Sequence, residues 1–218
     1  MGKGVFITVE GIEGSGKSTQ VRLLADYLRS IGLSVTETRE PGGTAIGETI
    51  RRVLLSPSSS EISAETELLL MLACRADHVE RVIKPALERG DVVISDRYAD
   101  ATVAYQGFGR KICLERIRGL NEGATGGLSP DLTLLLDLDV DAGLARVKGR
   151  SVHGETDRFE RETVEFHKRV REGYRDVASR EPDRVKVVQA DEDIEVVQER
   201  IRAIAGEFLE TKVGIRDN

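Results

Sequence analysis

The chain has 218 residues and a formal net charge of −6, a balance that argues against a dedicated binder of nucleic acids or anionic membranes. A chain of this length buries roughly 70% of the surface of its unfolded state, enough for a full core without disulfides. Its two cysteines, Cys74 and Cys113, fit no zinc or redox spacing. We see no secretory leader and no apolar stretch of membrane-spanning length, so we expect one cytoplasmic domain over residues 1–218.

Short β-branched runs alternate along the chain with longer amphipathic segments. The runs predict strands at Val5–Val9, Ser34–Thr38, Val92–Ser95, Leu132–Leu138 and Arg184–Gln189. The amphipathic segments predict helices over Lys17–Ser30, Glu65–Glu88 and Ile194–Leu209. This alternation is typical of an α/β fold with a mostly parallel five-stranded sheet and helices on both faces.

The segment from Arg146 to Arg161 has a different character, since it is polar, rich in arginine and interrupted by glycines. These features predict a mobile loop between two helices, too short to form a core of its own.

The first predicted strand is followed by Gly11-Ile12-Glu13-Gly14-Ser15-Gly16-Lys17-Ser18, which fits the G-x-x-x-x-G-K-[ST] motif at every fixed position. Its glycines allow consecutive backbone N–H groups to point at phosphate oxygens, and the helix that follows adds positive potential. Lys17 adds a point charge at the β- and γ-phosphates, and Ser18 supplies a hydroxyl ligand for Mg²⁺. We call residues 11–18 the P-loop and, with Thr19, predict that they bind the phosphates of ATP.

A P-loop alone does not separate ATPases, GTPases and small-molecule kinases. The N-K-x-D sequence that reads guanine is missing after the last predicted strand, where the chain has Gln189-Ala190-Asp191. The sequence also has no long second domain that hydrolysis would drive. Phosphoryl transfer to a small acceptor is therefore the favoured class.

The third predicted strand ends in Ser95 and is followed by Asp96 and Arg97. In open α/β sheets, ligands bind beyond the carboxyl ends of the strands. Asp96 is suited to hold Mg²⁺ or its waters, and Arg97 can bind an acceptor phosphate in bidentate fashion. The alternative is a surface salt bridge between the two side chains.

The sequence closely resembles the thymidylate kinases, which transfer the γ-phosphoryl group of ATP to dTMP. The resemblance covers nearly the whole chain and rests on the segments Val9–Thr19, Thr38–Thr44, Arg75 with Val82–Leu87, Asp96–Tyr98 with Ala104–Gly107, and Pro130–Thr133. It implies a P-loop NTPase-type three-layer sandwich with an arginine-containing lid at about residues 146–160. It also implies a homodimer, for which apolar residues of the second predicted helix are candidates, although the same residues would suit a core: Leu68, Leu69, Leu72, Val79 and Val82.

The resemblance also implies how the phosphate and sugar of dTMP are bound. Arg51 and Arg97 match positions that hold the phosphate. Glu13 matches an acidic residue that accepts a hydrogen bond from the 3′-OH, with a solvated loop carboxylate as the alternative. Tyr105 matches an aromatic residue under the sugar, with a plain core role as the alternative, and Tyr98 completes the Asp-Arg-Tyr segment.

For the base, Arg75 matches an arginine whose donors suit the pyrimidine O4, and Gln106 is placed near the base. The alternative for Arg75 is an ion pair with Asp77 or Glu80. The chain departs from the family pattern at two positions of the base pocket, where it has Met71 and Ala101. A methionine thioether can still cover the face of a base.

Positive charge is needed over the transferring phosphoryl group. Since the P-loop has no basic residue before Lys17, the resemblance implies that the lid supplies it. It favours Arg150 as the catalytic arginine, Arg146 as a residue that stacks on adenine, and Arg158 within Asp157-Arg158-Phe159 as a further contributor. The alternative is a solvated basic face.

The three histidines, His78, His153 and His167, have no metal-ligand spacing, and we expect each on a helix surface or in a loop. No general base is expected, because the acceptor oxygen belongs to a phosphate that is ionised at neutral pH.

The predicted reaction is ATP + dTMP → ADP + dTDP with Mg²⁺ as cofactor. Two alternatives remain: a kinase for another deoxynucleotide or nucleoside, and a nucleotide-binding regulatory protein without catalysis.

Overall fold

The computed structural model describes residues 4–56, 62–150 and 157–213. In these ranges the strands form one sheet: β1 (Val5–Glu10), β2 (Val35–Arg39), β3 (Val92–Asp96), β4 (Leu132–Asp137) and β5 (Val185–Gln189). The strand order is β2-β3-β1-β4-β5, and every neighbouring pair is parallel. The predicted strands agree with these to within one residue at each end, and the predicted α/β class with a five-stranded parallel sheet is confirmed.

The helices are α1 (Lys17–Ser30), α2 (Ala45–Leu55), α3 (Ala64–His78), α4 (Lys84–Glu88), α5 (Ala99–Thr102), α6 (Leu114–Thr125), α7 (Val140–Arg150), α8 (Val164–Arg180) and α9 (Ile194–Val213). Three of them begin at a hydroxyl residue whose oxygen accepts a hydrogen bond from the backbone N–H three residues later. These caps are Thr44, Ser63 and Thr163.

The helix predicted over 65–88 is helical throughout but not uniform. Between α3 and α4, the segment Val79–Ile83 is a π-helix. Pro85 explains the change, because proline has no N–H to donate to the carbonyl four residues earlier. A second π-helical segment, Val103–Gly109, follows α5.

The alternation of side chains along β1 divides the core into two faces. Val5, Ile7 and Val9 pack with α1 and α9 in one apolar cluster. Phe6 packs on the opposite face, in a cluster with Tyr98. Apolar residues of α3, α6 and α8 extend that second face. The sheet is thus the middle of three layers.

The lid differs from its prediction at its first residues. Arg146 to Arg150 are the last part of α7 rather than a loop. The helix continues because Val140, Leu144 and Val147 recur at helical spacing and face the core. Residues 151–156, and the side chain of Arg150, lie outside the described part of the structure.

No helix in the described ranges is both long enough and apolar enough to cross a lipid bilayer.

Candidate active site

The P-loop turns sharply between β1 and α1 because three of its glycines have positive φ angles: Gly11 (145°), Gly14 (76°) and Gly16 (90°). Gly16 is the N-cap of α1 and offers no side chain to its first turn. The N–H groups at this helix end are therefore free of a side-chain cap, and the helix dipole favours an anion there. The geometry suits a phosphate group.

Lys17 is the first residue of α1, and only 6% of it is exposed. Its Nζ donates a hydrogen bond to the Ile12 carbonyl at 2.7 Å and a longer one to Ser15 Oγ at 3.4 Å. Burial, helped by the nearby charge of Arg97, lowers the pKa of Lys17 to about 8. Negative phosphate oxygens would favour the charged ammonium form of this side chain.

Gly14 is the P-loop glycine least able to accept a side chain. A Cβ there would lie 2.2 Å from the carbonyl oxygen of Gly143 in α7, and its φ is +76°. We expect Gly14→Ala to lower the free energy of unfolding by about 1–3 kcal/mol and to weaken ATP binding, as measured by thermal denaturation with and without ATP. The matched control is Gly119→Ala, which has open space in the middle of α6 and should be neutral or stabilising. Equal melting temperatures for Gly14→Ala and the unaltered protein would contradict the expectation.

Ser18 and Asp96 meet where α1 begins and β3 ends. Ser18 Oγ donates a hydrogen bond to Asp96 Oδ2 at 2.6 Å. The other carboxylate oxygen, Oδ1, is buried and makes no hydrogen bond with any described residue. A hydroxyl and a carboxylate with an unused oxygen are hard donors of the kind that Mg²⁺ prefers.

A cavity lies beyond the carboxyl ends of β1 and β3, and we call it the Arg97 cavity. Every residue predicted to bind the acceptor lines it: Glu13, Arg51, Met71, Arg75, Arg97, Tyr98, Tyr105 and Gln106. Ala101 lines it as well. The lining also includes residues that were not predicted to bind the acceptor: Glu40, Pro41, Leu55, Thr102, Asp157 and Phe159.

Glu13 lies where the P-loop meets the Arg97 cavity, and its side chain is 10% exposed rather than solvated. Its Oε1 accepts hydrogen bonds from Tyr105 Oη at 2.6 Å and Arg97 Nη2 at 3.0 Å. Its Oε2 lies 3.3 Å from His167 Nδ1. Burial favours the neutral acid, but His167 and the charges of Arg97 and Lys17 outweigh it and hold the pKa of Glu13 below its usual range.

Arg97 has a left-handed backbone, with a φ of 71°. Two hydrogen bonds fix this conformation. The Arg97 N–H donates to the Val9 carbonyl at 3.0 Å, and Ser95 Oγ donates to the Arg97 carbonyl at 2.7 Å. The side chain reaches Glu13 and lies 5.5 Å from the centre of the Tyr105 ring. The predicted alternative, an Asp96–Arg97 surface pair, does not describe this arrangement.

Arg51 enters the cavity from α2, where its Nη1 donates to the Pro41 carbonyl at 2.9 Å. Burial and the neighbouring guanidinium groups of Arg39 and Arg97 lower the pKa of Arg51, which nevertheless stays charged. Like charges held this close are more favourable once an anion lies between them. The Arg51 and Arg97 pair therefore suits a phosphate dianion.

Arg75 is 2% exposed and does not pair with Asp77 or Glu80. Its donors are held by four acceptors: Glu40 Oε2, Thr102 Oγ1, Asn121 Oδ1 and the Tyr98 carbonyl. A guanidinium has five N–H groups, so one, on Nη2, has no partner among the described residues. That N–H is the donor that remains for a ligand in the cavity.

The structure adds detail to the prediction for Tyr98 and corrects the prediction for the histidines. Tyr98 lines the cavity, but its phenol is core, because it packs on Phe6 and its hydroxyl donates to the Leu128 carbonyl. His78 and His167 are buried rather than on a surface or in a loop. His78 contacts Glu40 Oε1 at 2.9 Å, and His153 lies outside the described residues.

A second cavity, the Arg146 cavity, lies beside the P-loop and is lined by Gly14, Ser15, Gly16, Thr19, Gln20, Arg146, Ala190, Glu192, Ile194 and Val197. Arg146 Nη1 donates to the Ala190 carbonyl at 2.9 Å. Arg158, by contrast, is buried and pairs with Glu67 of α3. Its Nε donates to the Leu54 carbonyl at 2.9 Å, so the prediction that it serves the phosphoryl group is not supported.

Comparison with known proteins agrees with this geometry. A thymidylate kinase family model matches residues 9–201. The thymidylate kinase of Syntrophotalea carbinolica is 50% identical over 199 residues, covering 90% of this chain and 92% of that protein. The thymidylate kinase of Symbiobacterium thermophilum is 51% identical over 205 residues, with 94% of each covered. The chain belongs to the thymidylate kinase family.

The crystal structure of thymidylate kinase from Ehrlichia chaffeensis has the same fold. It matches with a TM-score of 0.77 and 33% identity, covering 94% of this chain and 100% of that one. The resemblance drawn from the sequence motifs is thus confirmed at the level of the thymidylate kinase family and its fold.

Within the thymidylate kinase fold, sequence reasoning missed the residues that hold Arg75. These are Glu40, Thr102 and Asn121, which come from three separate segments. Glu40 offered a signal, because it lies in the matched segment Thr38–Thr44. Nothing in the sequence singled out Asn121, since an asparagine within a helical segment has no pattern that indicates its partner.

Proposed function

We propose that this member of the thymidylate kinase family transfers the γ-phosphoryl group of ATP to dTMP, giving ADP and dTDP. We also propose that residues 1–218 form a single catalytic domain. The observation that carries the proposal is the position of Glu13. Its carboxylate belongs to the P-loop and at the same time binds Arg97 and Tyr105 in the neighbouring cavity. A donor phosphate site and an acceptor site therefore share a wall.

On the donor side, the P-loop amides and Lys17 hold the β- and γ-phosphates of ATP. The Arg146 cavity, next to the P-loop, takes the rest of the nucleotide, with Arg146 against adenine. On the acceptor side, Arg51 and Arg97 bind the dTMP phosphate. Two guanidinium groups neutralise the dianion and aim one of its oxygens, and positioning of this kind is most of what phosphoryl transfer requires.

The sugar and base occupy the remainder of the Arg97 cavity. Glu13 accepts a hydrogen bond from the 3′-OH, and the Tyr105 ring packs against the deoxyribose. The unused N–H of Arg75 donates to O4 of the base, Gln106 bonds the base edge, and Met71 covers a face. Tyr98 contributes through its backbone, whose carbonyl holds Arg75.

In the reaction, an acceptor phosphate oxygen forms a bond to the γ-phosphorus while the bond to the β,γ-bridging oxygen breaks and ADP leaves. The attacking oxygen is already ionised, so no base is needed. Lys17 and the P-loop amides stabilise the charge that develops on the leaving phosphate. We assign the compensating charge over the γ-phosphoryl group to Arg150, the last residue of α7.

Mg²⁺ is the proposed cofactor, with Ser18 and Asp96 as its protein partners. The unused Asp96 Oδ1 and the adjacent Ser18 hydroxyl support this assignment. When bound, the ion would neutralise phosphate charge.

We expect Asp96→Asn to raise the Mg²⁺ concentration for half-maximal activity by about 10- to 100-fold, because the amide has lost the negative charge that attracts the cation or its waters. The measurement is a Mg²⁺ titration at saturating ATP. Asp26→Asn is the matched control, since Asp26 lies on the exposed side of α1. An unchanged Mg²⁺ requirement in Asp96→Asn would remove this residue from the metal site.

We also propose a homodimer. Leu68, Leu72 and Val79 are core residues and take no part in it, whereas Leu69 is 51% exposed. Leu69 of α3 and the exposed Ile46 and Val53 of α2 are the apolar side chains that support an interface on these two packed helices.

The function is tested by a coupled assay for ADP with ATP, Mg²⁺ and a panel of acceptors: dTMP, dUMP, dCMP and thymidine. We expect the highest kcat/KM with dTMP and little ADP without an acceptor. Faster turnover of dCMP or thymidine would reassign the substrate. ATP binding without acceptor-dependent turnover would indicate a regulatory protein instead.

A further inference from the structure

Glu67 is a buried carboxylate to which the proposed reaction assigns no role. It lies in the first turn of α3, and its side chain is 0% exposed. Met71 and Arg75, four and eight residues later on the same helix face, line the Arg97 cavity. Glu67 does not line the cavity, so it lies behind the wall that these residues form.

Three side chains from other segments converge on this carboxylate. Gln106 Nε2 donates to Oε1 at 2.7 Å. Arg110 donates from Nε to both oxygens and from Nη2 to Oε2 at 3.0 Å. Arg158 Nη2 lies 2.6 Å from Oε2. Buried carboxylates are stable only when charged and polar partners of this kind surround them.

The contact with Gln106 fixes the direction of its amide. A carboxylate between two guanidinium groups accepts hydrogen bonds and does not donate, so it selects the amide nitrogen of Gln106. Gln106 is 1% exposed and lines the Arg97 cavity. Its Oε1 accepts no hydrogen bond from the described residues, and it is therefore the group left to meet a ligand.

The direction of this amide matters for a pyrimidine. Thymine carries a hydrogen at N3, whereas N3 of cytosine carries a lone pair. An amide oxygen accepts from the first and repels the second, and an amide NH₂ would do the opposite. A site with a fixed polar group rejects the mismatched ligand more strongly than one that can rotate.

We propose that Glu67 is a positioning residue for base selection: by holding the nitrogen of the Gln106 amide, it presents the oxygen to the base and favours thymine over cytosine. This inference rests on the proposed function, because it takes the base to lie in the Arg97 cavity. Glu67 touches neither substrate and acts through Gln106.

The test is the ratio of kcat/KM for dTMP to kcat/KM for dCMP. Glu67→Gln keeps the volume of the side chain but removes the charge that selects the amide nitrogen, so Gln106 can turn. We expect the ratio to fall by about tenfold or more. The ratio does not depend on the fraction of folded enzyme, so a purely structural role would leave it unchanged.

Glu65→Gln is the matched control. Glu65 also lies in the first turn of α3, but its side chain is 44% exposed and pairs with Arg116 at the surface. We expect it to retain the ratio of the unaltered protein. If Glu67→Gln does not fold, Glu67→Asp keeps the charge but withdraws the carboxylate by one methylene, and it should lower the same ratio.

Gln106→Leu and the double variant Glu67→Gln/Gln106→Leu complete the cycle. If Glu67 acts through Gln106, Gln106→Leu and the double variant have the same ratio of kcat/KM for dTMP to kcat/KM for dCMP. An unchanged ratio in Glu67→Gln, or in Glu67→Asp where only that variant folds, overturns the inference, and so does an unchanged ratio in Gln106→Leu. A further loss in the double variant overturns it too. Failure of the unaltered enzyme to turn over dTMP would instead overturn the proposed function.

Discussion

Arg97→Ala is expected to lower kcat/KM for dTMP by about 10²- to 10³-fold, the range for losing one group that stabilises charge in a transition state. The substitution removes one of the two guanidinium groups proposed to hold the acceptor phosphate. It also leaves the Glu13 carboxylate buried without its nearest cation, which would repel that phosphate. Steady-state kinetics with dTMP as the varied substrate measure the effect.

The control for Arg97→Ala is Arg81→Ala. The Arg81 side chain is 68% exposed and pairs with Asp77 four residues earlier. Surface pairs of this kind contribute about 0–1 kcal/mol to stability, so we expect unaltered kinetics. If Arg97→Ala retained the kcat/KM of this control, the acceptor phosphate would have to bind elsewhere.

Lys17→Ala is expected to lower kcat by about 10³-fold or more, since a cation that stabilises transferring phosphate contributes on this scale. The same substitution should also abolish the uptake of a proton that we expect when ATP binds to the unaltered enzyme. The pKa of Lys17 is lowered to about 8 by burial and by Arg97, so near and above pH 8 the free enzyme holds a growing neutral fraction. Phosphate groups favour the ammonium form, and binding of ATP at pH 8–9 should therefore take up a proton.

Isothermal titration in buffers of different ionisation enthalpy measures this uptake, which Lys17→Ala should abolish. Lys84→Ala is the control, because Lys84 forms a half-exposed pair with Glu80 on an outer helix. Equal proton uptake by the Lys17→Ala variant and this control would assign the titration to another group.

The fold and the donor site were predictable because their signals are local. A glycine motif between an apolar run and an amphipathic segment defines the P-loop, and the strands are short β-branched runs. The end of α7 was not predicted, because the basic residues and Gly149 at 146–150 mask the helical spacing of its buried residues. Gly149 does not end the helix, since the buried face of α7 holds it in place.

The residues that line the Arg97 cavity were largely predictable from the sequence, whereas the contacts that hold them in place were not. Motif resemblance selected Arg75 and Gln106, but the partners of these residues come from distant segments. Glu40 and Glu67 are both buried carboxylates that accept from such residues. An acidic residue in a sequence is usually on the surface, and only the folded chain identifies those that are buried, such as these two. Arg158 was assigned to the lid for a similar reason: the sequence does not show that this arginine is buried and pairs with Glu67.

The left-handed backbone of Arg97 has a consequence for stability. A non-glycine residue in that conformation costs about 1–2 kcal/mol, and two hydrogen bonds keep the residue there. In exchange, the conformation directs the Arg97 guanidinium into the cavity at the carboxyl ends of the strands, where it contacts Glu13. The end of β3 is therefore a point where the fold accepts backbone strain in exchange for preorganisation of the Arg97 side chain.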